Sequence, residues 1–153
     1  MDPLSREEAA RFLSQAPVAH IGVIANGEPY VTPLSFVLDD ERILFRTQPG
    51  QRFEAMAAEP RVSIEASTFD TETGEWISVI VRGTATETTD SATMSKTVKM
   101  LFQKYEKALG SPLTHGAIQP LAAFPHIVEV EILEITGMSS GRGFSPRTRP
   151  GRL

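Results

Sequence analysis

Val18-Ala19-His20-Ile21-Gly22-Val23-Ile24 runs into Asn26-Gly27, and the chain then returns through Tyr30 to Leu38, YVTPLSFVL. The first run is rich in β-branched residues, and Asn-Gly supplies the positive φ angles of a two-residue hairpin turn. Two antiparallel strands are therefore expected. Pro33 interrupts the return strand; it has no N–H for the ladder, so it marks an edge or a bulge. Asp39-Asp40 makes the next turn and Arg42 to Thr47 a third strand. Three strands in succession without an intervening helix point to an antiparallel architecture, not to a strand–helix–strand fold.

The flanking segments agree. Upstream, Ser5 and Glu8 form a capping box, and Ala9, Phe12 and Leu13 give a helix its apolar stripe before Pro17 ends it. Downstream, Gln48-Pro49-Gly50 breaks the pattern, and a short helix follows over about Gln51 to Ala58, stopped by Pro60. Arg61 to Ser67 and Trp76 to Thr86 read as strands around a polar turn at Thr73-Gly74. Asp90 caps a long helix over about Ser91 to Leu109, whose residues Val98, Leu101, Phe102, Tyr105 and Leu109 have helical spacing, and Gly110 closes it. Ser111 to Pro125 reads as a loop. The last strand, Ile127 to Ile135, alternates imperfectly at its end. The expected fold is mainly β (α+β): six antiparallel strands forming a barrel, with three flanking helices. No G-x-G-x-x-G or Walker-type loop is present, so a mononucleotide site would have to be built another way.

Composition narrows the function. The 153 residues suit one domain, and the formal charge of −4 argues against a nucleic-acid partner, which needs a dense basic surface. No apolar run approaches the roughly 20 residues that span a bilayer, so no membrane association is expected. The polar, acidic N-terminus lacks the pattern of a secretory signal, and cysteine is absent; a cytoplasmic location is the expectation. Without cysteine there is no thiolate nucleophile and no Cys-ligated metal. His20, His115 and His126 have no ligand-pair spacing, so no metal site is expected. Residues 141–153 carry Arg142, Arg147, Arg149 and Arg152 among glycines and prolines and no acid. They read as a terminal tail, or as an arm toward an anion or a partner subunit.

Two stretches can carry chemistry. In Phe45-Arg46-Thr47-Gln48-Pro49-Gly50-Gln51-Arg52 a strand ends in a Pro-Gly turn that opens a helix. Helix N-termini expose unpaired N–H groups that attract phosphate, and Arg46, Arg52 and the Thr47 hydroxyl would add charge and donors. The same spacing also fits a solvated loop with two surface arginines. In Thr32-Pro33-Leu34-Ser35-Phe36 the proline releases backbone groups that could meet the polar edge of a flat heterocycle, or simply mark a bulged edge strand. Trp76, the single tryptophan, suits either packing or stacking on a ring.

The order of these segments is similar to the pyridoxamine 5′-phosphate oxidase-like family. Val18 to Gly22 and Gly27 to Phe36 resemble its opening, and Ile43 to Arg52 its FMN phosphate-binding segment. Glu59-Pro60-Arg61-Val62, Val81-Arg82-Gly83-Thr84-Ala85 and Ile132 to Gly137 resemble later strand signatures, so the likeness runs over roughly residues 5–137. It implies a split β-barrel over residues 1–140 that forms a homodimer with one FMN at each end of the interface, followed by the tail 141–153. Thr32, Pro33, Leu34, Ser35 and Phe36 would then line the isoalloxazine, largely through backbone. Arg46, Thr47, Gln51 and Arg52 would hold the phosphate, with Arg52 where a lysine is common, and Trp76 and Ser78 would lie on a strand that reaches the partner.

The implied activity is a flavin-dependent oxidoreductase that passes hydride between flavin N5 and a small organic substrate or nicotinamide, with no side-chain nucleophile. The ending GRGFSPRTRPGRL does not resemble the substrate-binding tail of authentic pyridoxamine phosphate oxidases, so vitamin B6 phosphate is not the expected substrate. A reductase using a deazaflavin coenzyme, or a non-catalytic flavin- or haem-binding module, are the alternatives.

Overall fold

The computed structural model describes residues 1–110 and 124–141. The elements are β1 (Asp2–Pro3), α1 (Arg6–Gln15), β2 (Ala19–Ala25), β3 (Glu28–Leu34), β4 (Val37–Asp39), β5 (Arg42–Thr47), α2 (Gln51–Ala58), β6 (Arg61–Phe69), β7 (Trp76–Thr88), α3 (Ser91–Leu109) and β8 (His126–Ser139). The expected antiparallel, mainly β fold with three helices is present. The expected loop over 111–125 lies mostly outside the described residues.

All strand pairs are antiparallel, in the order β3-β2-β6-β7-β8-β5-β4, with β1 added to the end of β8. β3 and β4 occupy the two ends of this path, yet only Ser35 and Phe36 separate them in the chain. The sheet must therefore curl until its edges approach at this corner, without pairing along their length. The barrel is split there.

The one return strand expected over Tyr30 to Leu38 is thus two strands, and a short N-terminal strand brings the number to eight. The split follows from the ladder. Leu34 pairs with Ala19 on β2, whereas Val37 pairs with Leu44 on β5, so the backbone must change partners at residues 35–36. Pro33 sits opposite His20 on the edge strand β3, where a missing N–H costs no bond on the open side.

The curled sheet encloses Ile21, Val23, Ile43, Phe45, Ile64, Val79, Val81 and Val128, and α1 adds Phe12 and Leu13 to the same core. Gly137 permits that approach, because a Cβ there would lie 2.8 Å from the Leu4 side chain and 3.2 Å from Ala9. α2 contributes Ala55 and Met56. α3 packs elsewhere: Leu101, Met100 and Tyr105 cover Val37 and Leu44 on the other face of β4 and β5.

The imperfect alternation of the last strand is a bulge. Arg82 faces Glu134 and Gly83 faces Ile132, leaving Leu133 as the extra residue. A Cβ on Gly83 would stand 2.4 Å from the Glu131 carbonyl oxygen, so the bulge requires glycine.

Candidate functional site: an arginine across the split

β5 ends at Thr47, and the turn through Gly50 starts α2. Gly50 has φ 147°, a conformation open to glycine, and provides no side-chain cap. The first helical bond runs from Glu54 N to Gly50 O, 2.9 Å. A Cβ at Gly50 would meet nothing within 4 Å, so the space before the helix is open. Its N-terminus therefore presents backbone donors and a partial positive charge to an unobstructed approach.

Arg52, in the first turn of α2, spans the split. Its Nη1 donates to the Thr32 hydroxyl and the Pro33 carbonyl, both at 3.0 Å, on β3. Its Nε and Nη2 donate to the Thr47 hydroxyl on β5, at 3.3 and 3.1 Å. All these acceptors are neutral. Of the five guanidinium N–H groups, one on Nη2 is left for another partner. Desolvation is the main influence on this group and pulls its pKa below the ordinary arginine value, with Tyr30 opposing it; no described carboxylate compensates the charge. A half-buried cation with neutral partners, beside an uncapped helix start, is an arrangement that an anion completes.

Thr32, Pro33, Thr47 and Arg52 are thus brought together. Gln51 is exposed at the helix start. Arg46 alternates to the other face of β5 from Thr47, and its guanidinium lies 5.4 Å from the Phe124 ring. Burial lowers its pKa as well. Leu34 is buried, while Ser35 is exposed at the corner and Phe36 is fully buried.

Trp76 and Ser78 belong to a different surface. Residues paired across an antiparallel ladder share a face, and Ser78 aligns with Ser67 and Met138, Trp76 with Phe69. This face points away from the core residues Val79 and Val81. On it Ser78 donates to Glu65 Oε1 at 3.1 Å, and Val31, Ile24, Ile80 and Phe69 are exposed.

α3 supplies polar groups that composition and motif reading passed over. Lys104 Nζ donates to the Phe36 carbonyl at 2.9 Å and stands 3.7 Å from the centre of the Phe36 ring. The Tyr105 hydroxyl donates to the Pro17 carbonyl at 2.7 Å and accepts from Phe36 N at 3.3 Å. Burial pushes the Lys104 ammonium down to about 8 and raises the Tyr105 phenol. The signal was a lysine three residues after Leu101 and next to Tyr105, on the helix's own apolar stripe. A further stacked pair, Phe53 and His126 with centroids 3.9 Å apart, flanks α2, with His126 Nδ1 2.7 Å from Glu87 Oε1.

A groove of about 430 Å³ beside β7 and β8 carries Glu87, Asp90, Glu129 and Glu131 and so repels phosphate. Among the described residues no group of histidines and acids is arranged to hold a metal. No helix among them is long and apolar enough to cross a membrane.

The sequence pattern described as pyridoxamine 5′-phosphate oxidase matches residues 5–139. The chain belongs to the pyridoxamine 5′-phosphate oxidase family. Within that family setting, a FAD-binding protein from Mesorhizobium loti superimposes with TM-score 0.73 and 25% identity, over 92% of this chain and 98% of that one. The FAD-binding protein of Mycobacterium smegmatis gives TM-score 0.64 and 25% identity over 91% and 98%. An uncharacterised protein of Rhizobium meliloti is 28% identical over 80 residues, and the match spans 52% of this chain and 52% of that relative. The family match stops short of the basic tail; Arg142 and the rest of residues 142–153 lie outside the described residues.

Proposed function

We propose that this family member is a flavoprotein oxidoreductase that binds a flavin nucleotide, FMN in the first instance, with its phosphate at Arg52, Thr47 and the start of α2. The observation that carries this reading is the half-buried Arg52 guanidinium, which has only neutral protein acceptors and belongs to the first turn of a helix whose start has no side-chain cap. A phosphate dianion supplies the missing negative charge. Bound flavin provides reversible hydride transfer at its N5. The protein's part is to bind and orient: Arg52 neutralises the phosphate, and residues 32–36 lie along the ring. Two solved relatives at 25% identity are described as FAD-binding, which favours FAD as the second reading; it would share the phosphate contacts.

A homodimer is part of the proposal. The outward face with Val31, Ile24, Ile80 and Phe69 exposes large apolar side chains along adjacent strands, and a second copy covering it would also bring Trp76 and Ser78 to the interface.

Arg52→Ala tests the phosphate assignment. FMN binding should weaken by about 1.5–3 kcal/mol, the range for hydrogen bonds to charged groups. Riboflavin, which has no phosphate, should bind both proteins nearly equally, and titration with FAD decides between the nucleotides. Equal loss of FMN and riboflavin would show that Arg52 only ties β3 to β5. The visible spectrum of purified protein separates flavin from deazaflavin, which has one band, and from haem.

A further inference from the structure

The corner at Ser35–Phe36, where the chain crosses from one edge of the sheet to the other, has lost its ladder partners, and α3 takes up what the ladder leaves. Tyr105 accepts the Phe36 N–H, and Lys104 donates to the Phe36 carbonyl. The same Tyr105 hydroxyl donates to Pro17, so one side chain ties the end of the α1–β2 connection to the corner. On the other side of the corner, Arg52 takes the Thr32 hydroxyl and the Pro33 carbonyl. Pro33 has no N–H, and Leu34 is buried opposite Ala19 in the ladder. Within residues 32–36 that leaves Ser35. It is exposed, and among the described residues neither its N–H nor its C=O has a hydrogen-bond partner.

We infer that Lys104 and Tyr105 are positioning residues: they hold the peptide groups on either side of Phe36 so that the Ser35 carbonyl is the polar edge offered to a bound flavin ring. The inference rests on the flavin reading proposed above. It assigns α3, which packs outside the barrel, a role in the geometry of the site. The physical case is that the Ser35 C=O shares one planar peptide group with the Phe36 N–H that Tyr105 accepts, and Lys104 holds the next peptide group through the Phe36 carbonyl. The Ser35 C=O therefore keeps one direction. The ammonium over the Phe36 ring also fixes that side chain beneath the corner.

The experiment compares wild type, Lys104→Met, Lys104→Arg and Tyr105→Phe. FMN affinity is measured by flavin fluorescence, the absorption bands of the bound flavin are recorded, and amide exchange is followed at residues 34–37 in the flavin-free proteins. In Lys104→Met, FMN binding should weaken by about tenfold, within the range for a hydrogen bond to a charged group. Its bound-flavin bands should shift, and exchange at Phe36, whose N–H Tyr105 accepts, should quicken while the core strands keep their protection. Tyr105→Phe should move the same readouts in the same direction, and Lys104→Arg should restore affinity and spectrum. A merely structural lysine would lower stability and leave the bound-flavin spectrum in place. If wild type binds FMN and Lys104→Met matches it in affinity and spectrum, the positioning role is refuted and the flavin reading survives. If wild type binds no flavin, the flavin reading falls and this inference falls with it.

Discussion

Lys104 makes the stability of this fold depend on pH in a direction opposite to that of a paired lysine. Its ordinary value is 10.5, and burial at the corner pushes it down to about 8. The folded state therefore releases this proton before the unfolded state does. Between those two values the unfolded chain binds more protons, so stability rises with pH. Below about pH 8 the cost of burying the charge is present in full, at most about 3 kcal/mol at roughly 1.4 kcal/mol per pKa unit. Between about pH 7 and pH 9.5 the gain comes to about 2 kcal/mol.

Lys104→Met removes the titration. At pH 7 the variant escapes the desolvation cost, but the Phe36 carbonyl loses its donor, worth about 1–3 kcal/mol if left unsatisfied. Its stability there should lie close to wild type. Near pH 9.5 the wild-type neutral amine still donates to Phe36, about 2 kcal/mol of that cost has been recovered, and the variant should be about 2 kcal/mol less stable. Urea unfolding of both proteins at several pH values from 7 to 9.5 measures this. That window stays below the titration of Tyr105, which burial raises. Parallel stability curves would refute the placement of a charged Nζ in a desolvated corner.

Three other outcomes are expected. Gly83→Ala drives a Cβ into the Glu131 carbonyl and the Val130 side chain, so urea unfolding should show a loss of about 1–3 kcal/mol or more; an unchanged midpoint would mean the bulge is placed wrongly. Ser5→Ala removes the hydroxyl that accepts from Glu8 N at 3.1 Å, and calorimetry should report a loss of about 1 kcal/mol. In sedimentation at micromolar concentration the wild type should be a dimer, and Ile80→Arg, on the outward face, should give a folded monomer; a wild-type monomer would remove the homodimer from the proposed function.

Much of the architecture could be read along the chain because its signals are local. The Ser5–Glu8 box, the Asn26-Gly27 turn, the Asp90 cap and Gly110 in the left-handed conformation all act within four residues, and each element begins or ends where they stand. The cluster at the start of α2 was legible for the same reason: a strand, a Pro-Gly turn and a helix start are contiguous, and they deliver Thr47 and Arg52 to one place. Strand partners are not local. Tyr30 to Leu38 reads as one strand, and only the curl of the whole sheet makes Leu34 face β2 and Val37 face β5, breaking it at Ser35. The same holds for Arg46 and Thr47, adjacent in sequence but sent to opposite faces by the pleat, and for Trp76 and Ser78, which the ladder turns away from Arg52. Lys104 is the clearest case. A lysine in a helix reads as solvated surface, and its place beside Tyr105, three residues after Leu101, is only a weak local sign against that ready alternative. It is buried because α3 docks on a corner 68 residues earlier in the chain, whose Phe36 carbonyl has no strand to bond. Local chemistry determines which elements form and where they end; long-range packing decides which polar groups they leave exposed, desolvated or in need of a partner.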